Sequence, residues 1–304
     1  MKPHDQNSNN LIYAQDGPIA HGPELQGRLQ PFTVPFFRFK NAPEPEDCGS
    51  GVLVKIGGFF FVLTAGHCVS GTFASIALGV RDYPHRFKFE PLRSGYICSG
   101  GRDFGYYEVS KDTVSSIEAG NRIFLSERSI EVLSASEHEA KRDFLALAGY
   151  PLQLMQNPGG GTGAALLVYS TTMAGGEHAP ASNLTLAVRG AHLEIHVWIP
   201  QQDNVHTLAN DPTPVTLCTF RGASGGGWWS THMNRPAWKS TDVKLIGTHV
   251  GSGNEIETQD GLRHRFSRVS LVGNHLALIA RDYPALRNHI NTTWPTVEQY
   301  GVDS

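Results

Sequence analysis

The sequence predicts a β-rich globular protein whose short antiparallel strands form barrels or a sandwich. Most of its apolar runs are too short for helices, and 33 glycines and 18 prolines among 304 residues provide frequent turns. Hydrophobic residues make up 40% of the chain, which is enough to build a core. The chain has 25 Lys+Arg and 28 Asp+Glu, which gives a net charge of −3. This near-balance argues against nucleic acid or an anionic membrane as the partner.

The clearest strand signal is a predicted hairpin. Residues 51–56 and 59–63 are largely apolar and flank Gly57-Gly58, which is typical of a two-residue primed turn. Residues 190–199 place apolar side chains at alternate positions over much of their length. The other predicted strands are residues 87–92, 122–125, 144–148, 165–169 and 243–249.

Helices are predicted only at residues 115–119, 134–141 and 271–290, and the last of these has the clearest helical pattern. Residues 1–30 are polar and contain Pro and Gly, which predicts a loosely ordered arm. The chain shows neither the apolar core of a signal peptide nor a membrane span, and 4 cysteines are too few for a disulfide scaffold. We therefore expect a cytoplasmic protein with free thiols.

Three separated stretches carry residues typical of nucleophilic catalysis. His67 follows an apolar strand, Asp103 precedes Phe-Gly, and Ser224 lies in the glycine-rich turn Gly222-Ala-Ser-Gly-Gly. A serine hydroxyl needs a base within reach, a histidine can accept its proton and later return it, and a buried carboxylate orients the imidazole. The glycines allow a tight turn in which the amides of Gly222 and Ser224 point at a developing oxyanion. Together, in this order, the stretches predict a His-Asp-Ser triad.

Less specific interpretations of these residues remain. A histidine at a strand end can belong to the core and a serine among glycines to a plain loop, but the three stretches together favour catalysis. The aspartate motif is the shortest of the three, so Asp82 and Glu108 remain alternatives to Asp103. His192 and His196 share one face of a predicted strand, yet a metal site needs further ligands, so neither a metal nor a cofactor is expected.

The motifs resemble those of chymotrypsin-like (trypsin-fold) serine peptidases, in particular the intracellular bacterial trypsin-like peptidase group. Thr64-Ala-Gly-His67-Cys68 is similar to the catalytic-histidine motif of that family, and Gly222-Ala-Ser224-Gly-Gly is similar to its nucleophile motif. Ala148-Gly-Tyr-Pro151 is similar to a strand common in bacterial members. The resemblance covers the chain from about residue 47 to about residue 255.

The resemblance implies two antiparallel six-stranded β-barrels with the triad in the cleft between them. The domains expected on this basis are a polar N-terminal arm (residues 1–30), an N-terminal β-barrel with His67 and Asp103 (31–133), a C-terminal β-barrel with Ser224 (134–270), and a C-terminal helix and tail (271–304).

The chain departs from the family pattern in three places. Secreted digestive members have an aspartate directly before the serine, which pairs with a freshly cut N-terminus, whereas this chain has Ala223 there, so we expect no activation by that ion pair. Gly227-Trp228-Trp229 replaces the proline that usually follows the nucleophile's glycines. Cys48 and Cys68 lie roughly where family members bridge the histidine loop, but a reducing compartment argues against a disulfide there.

The resemblance also suggests a substrate preference. The base of the P1 pocket lies six residues before the serine, at Cys218, and without a carboxylate there we do not expect cleavage after Arg or Lys. Thr219 and His249 are similar to the residues that hold a P1 Glu or Gln in glutamyl endopeptidases and picornavirus-type proteases. A hydroxyl and a ring N–H provide the donors that such a side chain needs. We therefore expect a P1 Glu or Gln preference.

The sequence thus predicts a serine endopeptidase that binds a protein or peptide substrate as an extended segment along an edge strand. Two alternatives remain. The triad is idle and the chain binds peptides if the Gly-Trp-Trp segment blocks the cleft. In the second, the enzyme is the effector of a regulatory or defence cascade and is latent until a partner docks. The partner is then an activating or inhibitory protein, and residues 1–30 are the expected site of latency.

Overall fold

Two antiparallel sheets and a C-terminal pair of helices build the fold of the computed structural model. It describes residues 22–40, 47–71, 73, 75–79, 86–134, 137, 144–152, 167–172, 194–200, 205–206, 214–215, 220–232, 238–252, 256–257 and 263–302. The predicted all-β class is confirmed, with two antiparallel sheets and helix at the C-terminus. Each sheet has seven strands, where the resemblance implies six.

The first sheet carries two of the three triad candidates. Its strands are β1 (Thr33–Phe39), β2 (Asp47–Ile56), β3 (Phe59–Thr64), β4 (Ser75–Gly79), β5 (Arg86–Phe89), β6 (Ser94–Ser99) and β7 (Arg102–Glu108). They lie in the order β5-β4-β1-β2-β3-β7-β6. Gly57 and Gly58 join β2 to β3 with φ of 54° and 86°, the left-handed conformation of a primed turn, so the predicted hairpin is confirmed.

The second sheet carries the serine. Its strands are β8 (Phe144–Gly149), β9 (Leu167–Thr172), β10 (Glu194–Pro200), β13 (Gly227–Ser230), β14 (Lys244–Ser252), β15 (Ile256–Glu257) and β16 (Arg263–Leu271), and the short strands β11 (Val205–His206) and β12 (Pro214–Val215) pair with each other. The order is β10-β16-β14-β13-β8-β9, with β15 beside β16. Ser224 lies in the turn that leads into β13, and β14 returns beside it.

Helices close the ends of the two sheets. They are α1 (Gly22–Leu29), α2 (Gly66–Val69), α3 (Lys111–Ala119), α4 (Val272–Asp282) and α5 (Pro284–Thr293), and short 3-10 helices cover Gln30–Phe32, Glu127–Ser129, Ser240–Asp242 and Pro295–Gln299. The predicted helix at residues 271–290 is two helices, because Pro284 lacks an amide N–H and forces Tyr283 out of helical geometry (φ −123°, ψ 84°). No helix in the described ranges is long and apolar enough to span a membrane.

Two predictions differ from the structure. α1 lies within the arm predicted to be loosely ordered, and Leu25 and Leu29, one helical turn apart, are both buried. Residues 122–125 form no strand, since they meet β2 only through an isolated bridge between Val54 and Leu125. Leu125 is buried in the core and Phe124 is partly buried against a second apolar cluster, whereas Ile123 is exposed, so the segment contributes to the core without a continuous ladder. The predicted helix at residues 134–141 lies largely outside the described residues.

The main hydrophobic core joins both sheets to the C-terminal helices. Its members include Tyr106 of β7, Trp228 and Trp229 of β13, and Leu276 of α4. Trp228 and Trp229 are 0% and 1% exposed, so the Gly-Trp-Trp segment packs into the core. This shared core holds the strand ends of the first sheet against the turn that carries Ser224.

Candidate active site

His67 and Asp103 meet where the first sheet ends. α2 begins two residues after β3, and Asp103 lies near the start of β7, which pairs with β3. Nδ1 of His67 lies 2.6 Å from Oδ2 of Asp103, and the His67 amide donates to Oδ1 at 2.8 Å. A carboxylate that binds both the ring and the amide of one residue fixes the ring with its proton on Nδ1. Nε2 is then the proton acceptor.

The alternatives to Asp103 do not contact this histidine in the described structure. Glu108, at the far end of β7, accepts a hydrogen bond from the Tyr283 hydroxyl at 2.7 Å. Asp82 lies outside the described residues. The geometry therefore pairs His67 with Asp103.

The surroundings of His67 stabilise its protonated form. The hydrogen bond with Asp103, then that with the Cys68 side chain, raises the pKa of His67 to about 10, against the lowering effect of burial. The imidazolium is the form that arises when the ring accepts a proton from a nucleophile. The side chain is 40% exposed, so the ring is open to a ligand.

The turn that carries Ser224 is bound to the first sheet through Ser50 of β2. The Ser50 amide donates to the Ser224 carbonyl at 2.8 Å, and the Ser50 hydroxyl donates to the Gly222 carbonyl at 2.9 Å. A Cβ on Gly225 would lie 2.0 Å from the Thr64 hydroxyl oxygen, so only glycine fits at this approach of the two sheets. Cys68, the neighbour of His67, brings its Sγ to 3.7 Å from the Ser224 carbonyl oxygen.

Two backbone amides of the turn face no acceptor in the described part of the chain. The amides of Ala223, Gly225 and Gly226 donate to carbonyls at 2.7–2.9 Å, whereas no described group accepts from the N–H of Gly222 or of Ser224. These two amides are therefore available to a ligand oxygen. The Ser224 hydroxyl makes no hydrogen bond to His67 here, a looseness common in sites without substrate.

His249 of β14 lies directly behind this turn. Its backbone carbonyl accepts from the Gly225 amide at 2.7 Å, and its amide donates to the Gly226 carbonyl at 2.8 Å. The side chain is buried, with the Phe220 ring tilted against it at 5.7 Å between centroids. Burial, followed by the charge of His67, lowers the pKa of His249 to about 3, so the ring is neutral.

A hydrogen-bond chain reaches Nδ1 of His249. The Trp228 indole N–H donates to the Ser267 hydroxyl oxygen at 3.0 Å, and that oxygen lies 2.6 Å from Nδ1 of His249. The indole can only donate, so the Ser267 hydroxyl keeps its own proton and a second lone pair for other partners. In the tautomer in which Ser267 donates to Nδ1, the ring proton of His249 lies on Nε2, which is then a donor.

Part of the predicted site lies outside the described residues. Cys218 and Thr219, expected beside His249 in the P1 pocket, belong to this part, so their role stays a prediction. His192 belongs to it as well, so its pairing with His196 is not described.

The cysteines and the neighbour of the serine follow the expected pattern where they are described. Cys68 and Cys98 are free thiols, as expected, so Cys68 forms no disulfide with Cys48, whereas Cys218 is not described. Ala223 is fully buried, and it offers no carboxylate to an incoming amino group. Within the described ranges, no three His, Cys, Asp or Glu side chains gather as a metal site requires.

Sequence reasoning missed the residues that support this site. Ser50 and Ser267 carry no recognisable motif, and each acts on residues distant along the chain. Arg38 donates to the carbonyls of His67 and Cys68, and its signal was a lone cation in the apolar run of β1. Because a charge inside a buried strand needs a partner, this rule would have identified Arg38 as a candidate supporting residue.

The fold has a general likeness to solved protease structures. It is similar to a thermostable serine protease AL20 from an extremophilic microorganism (14% identity, TM-score 0.41, covering 79% of this chain and 91% of that one). It is also similar to the protease Anisep from Arthrobacter nicotinovorans (14%, 0.42, 79% and 90%) and to a serine endoprotease from Yersinia pestis (14%, 0.41, 90% and 68%). No protein-family model matches the sequence, and neither does any curated protein. The roles of the site residues are therefore inferred from their own positions and contacts.

Proposed function

We propose that the protein is a serine endopeptidase with Ser224 as nucleophile, His67 as general base and acid, and Asp103 as the orienting carboxylate. The observation that carries this proposal is the two-point contact of Asp103 with the ring and amide of His67, beside a tight serine turn. An ion pair with a purely structural role needs neither the contact between Asp103 and the His67 amide nor an exposed Nε2. A general base needs a ring in fixed orientation and a nitrogen that a proton can reach.

The steps follow from these positions. Oγ of Ser224 attacks the scissile carbonyl carbon while its proton passes to Nε2 of His67. The carbonyl oxygen becomes an oxyanion that accepts from the amides of Gly222 and Ser224, each such donor being worth about 3 kcal/mol. His67 then gives its proton to the leaving amine, and an acyl-enzyme forms. Water, activated by the same ring, hydrolyses the acyl-enzyme and restores Ser224.

The P1 preference proposed is Glu or Gln. A neutral His249 with its proton on Nε2 offers a donor to a carboxylate or carboxamide oxygen. Two hydrogen bonds of the His249 backbone hold the residue next to the serine turn. An aliphatic or basic P1 side chain would leave this donor unpaired in a buried pocket, which disfavours it. Thr219 and Cys218 are proposed to complete the pocket.

The idle peptide-binding alternative gains no support. It required the Gly-Trp-Trp segment to block the cleft, and both tryptophans are buried in the core. A regulatory or defence role, with an activating or inhibitory partner, stays a prediction.

The test is a mass-spectrometric cleavage map of a diverse peptide library, with Ser224→Ala run beside the wild type. We expect cuts after Glu or Gln that fall on the order of a million-fold in the variant. Cuts after other residues that also vanish in Ser224→Ala would retain the peptidase and reject the His249 pocket. A folded wild type that neither cuts peptides nor reacts with a fluorophosphonate would reject the peptidase, and equal cutting by Ser224→Ala would reject the nucleophile.

A further inference from the structure

We propose that Arg38 of β1 is a positioning residue that holds the turn bearing His67 in its catalytic place. This proposal rests on the proposed peptidase function. Nη1 of Arg38 lies 2.9 Å from the carbonyl oxygens of both His67 and Cys68. The residue is 3% exposed, and its guanidinium lies over the Phe73 ring at 4.3 Å from the centroid. A buried cation is therefore bound to the main chain of the proposed catalytic base.

The turn needs such support because it is short. α2 contains four residues, too few to be stable as an isolated helix. The last carbonyls of a helix have no partners within it, and His67 and Cys68 carry two of them. A cation at this end also interacts favourably with the aligned peptide dipoles, and its hydrogen bonds are stronger than those of a neutral donor.

Two hydroxyl groups bind the same carbonyls from other directions. Ser70 donates to the His67 carbonyl at 3.2 Å, and Tyr107 of β7 donates to the Cys68 carbonyl at 2.9 Å. Arg38 is the donor that contacts both oxygens. It therefore binds two consecutive peptide groups, His67–Cys68 and Cys68–Val69, whereas each hydroxyl binds only one of them.

This arrangement holds His67 at three points. Asp103 binds its amide and its ring, and Arg38 binds its carbonyl. No disulfide substitutes for the third point, because Cys68 is a free thiol. If the turn shifts, Nδ1 loses its alignment with Asp103 and Nε2 is displaced relative to the turn that carries Ser224, and a displacement of about 1 Å in such a site reduces the rate about 100-fold.

A second buried arginine provides a matched control. Arg122 is 4% exposed and donates to the Gln30 carbonyl and to the Tyr150 hydroxyl. None of its described hydrogen bonds reaches His67, Asp103 or Ser224. Arg38→Met and Arg122→Met thus remove equally buried cations, but only the first removes contacts to the His67 turn.

The experiment compares Arg38→Met, Arg38→Lys, Arg122→Met and wild type in kcat, KM, thermal unfolding and the His67 pKa measured by NMR. We expect Arg38→Met to lose about 100-fold in kcat with KM changed less than roughly threefold, and its His67 pKa to fall toward the ordinary value of about 6.5. Arg38→Lys keeps a cation and should recover part of both. Arg122→Met should lower the unfolding temperature while kcat and the His67 pKa remain at wild-type values.

Equal losses of kcat and of His67 pKa in Arg38→Met and Arg122→Met would overturn the proposal, since both would then report general destabilisation. Wild-type kcat in a folded Arg38→Met would also overturn it. If Arg38→Met does not fold, Arg38→Lys tests the same contacts more mildly, because a lysine ammonium lacks the planar fork of the guanidinium, and fully wild-type kcat and His67 pKa in Arg38→Lys would again reject the role. If the wild type itself cleaves nothing, the peptidase proposal fails, while the NMR comparison still decides whether Arg38 positions His67.

Discussion

At the scale of single residues, the contact between Asp103 and His67 governs the pH dependence expected of the proposed peptidase. A general base must be unprotonated, and Asp103 raises the pKa of His67 to about 10, so kcat/KM of the wild type should rise with pH to an alkaline midpoint well above 6.5. In Asp103→Asn the amide no longer stabilises the imidazolium, so the midpoint should move down toward 6.5. The loss of the correct tautomer should also reduce kcat about 10⁴-fold. The measurement is kcat/KM across the pH range for both proteins.

The same strand offers a control for this change. Glu108→Asn removes another β7 carboxylate, one that accepts from Tyr283 rather than from His67. It should leave the alkaline midpoint in place. An identical midpoint in wild type and Asp103→Asn would show that the aspartate does not govern the protonation of His67.

At the scale of elements, three neighbouring strands cooperate in the pocket. Trp228 of β13 and Ser267 of β16 flank β14, and the proposed P1 preference requires Ser267 to donate to Nδ1 of His249 so that Nε2 carries the ring proton. Ser267→Ala removes the acceptor of the indole and the donor to Nδ1, so the ring proton is no longer held on Nε2. We expect cleavage after Glu or Gln to fall about 10- to 100-fold, the equivalent of one buried hydrogen bond. Cleavage rates on peptides that differ only at P1 measure this effect.

Two variants of β16 separate this role from packing. Ser267→Thr keeps the hydroxyl and should recover much of the P1 preference. Ser270→Ala removes a hydroxyl that accepts from Asn274 and does not bond His249, so its P1 preference should be that of the wild type. Unchanged discrimination in Ser267→Ala would mean that the tautomer of His249 is set elsewhere.

At this scale, some features of the structure could be predicted from the sequence and others could not. The turn at Gly57-Gly58 was predicted because a primed-turn pair is a local feature of the sequence. The helix predicted at residues 115–119 begins earlier, at Lys111, because the Ser110 hydroxyl caps its N-terminus. The proposed triad was found because each member lies within a short motif. Ser50 was missed because its hydroxyl acts on Gly222, 172 residues away, and nothing near Ser50 encodes that distance. A contact between two sheets depends on how the sheets pack together. The hydrophobic periodicity of the sequence predicts strands and helices but not which of their residues meet.

At the scale of the whole molecule, two buried histidines make the fold sensitive to acid, and one of them, His275, joins the two sheets. His275 of α4 contacts the Thr64 carbonyl of β3 at 3.1 Å and the Thr248 hydroxyl of β14 at 3.3 Å, which ties the strand that leads to His67 to the strand that carries His249. Burial lowers the pKa of His275 to about 4 and that of His249 to about 3. The fold holds both rings neutral.

The sign of the pH dependence follows from which state binds more protons. Below pH 6.5 the unfolded chain protonates both buried histidines while the folded chain does not, so stability falls as the pH drops from about 6.5 toward about 4 and 3. His67 acts in the opposite direction, because its raised pKa contributes stability that is complete below 6.5 and is lost as the pH rises through about 10. Among these three histidines, the balance therefore gives greatest stability near neutrality.

His275→Gln tests the acid side of this balance. The glutamine amide can still donate to the Thr64 carbonyl but takes up no proton on unfolding, so the variant should lose less stability than the wild type between neutral pH and pH 5, by about 2 kcal/mol. Urea unfolding at both pH values measures the difference. Thr248→Val is the control, because it removes the hydroxyl partner of His275 without removing a titrating group, and its loss of stability on acidification should equal that of the wild type. If His275→Gln and wild type lose stability equally, the proton uptake that destabilises the fold in acid belongs to other groups, and the link between the two sheets is not pH-dependent.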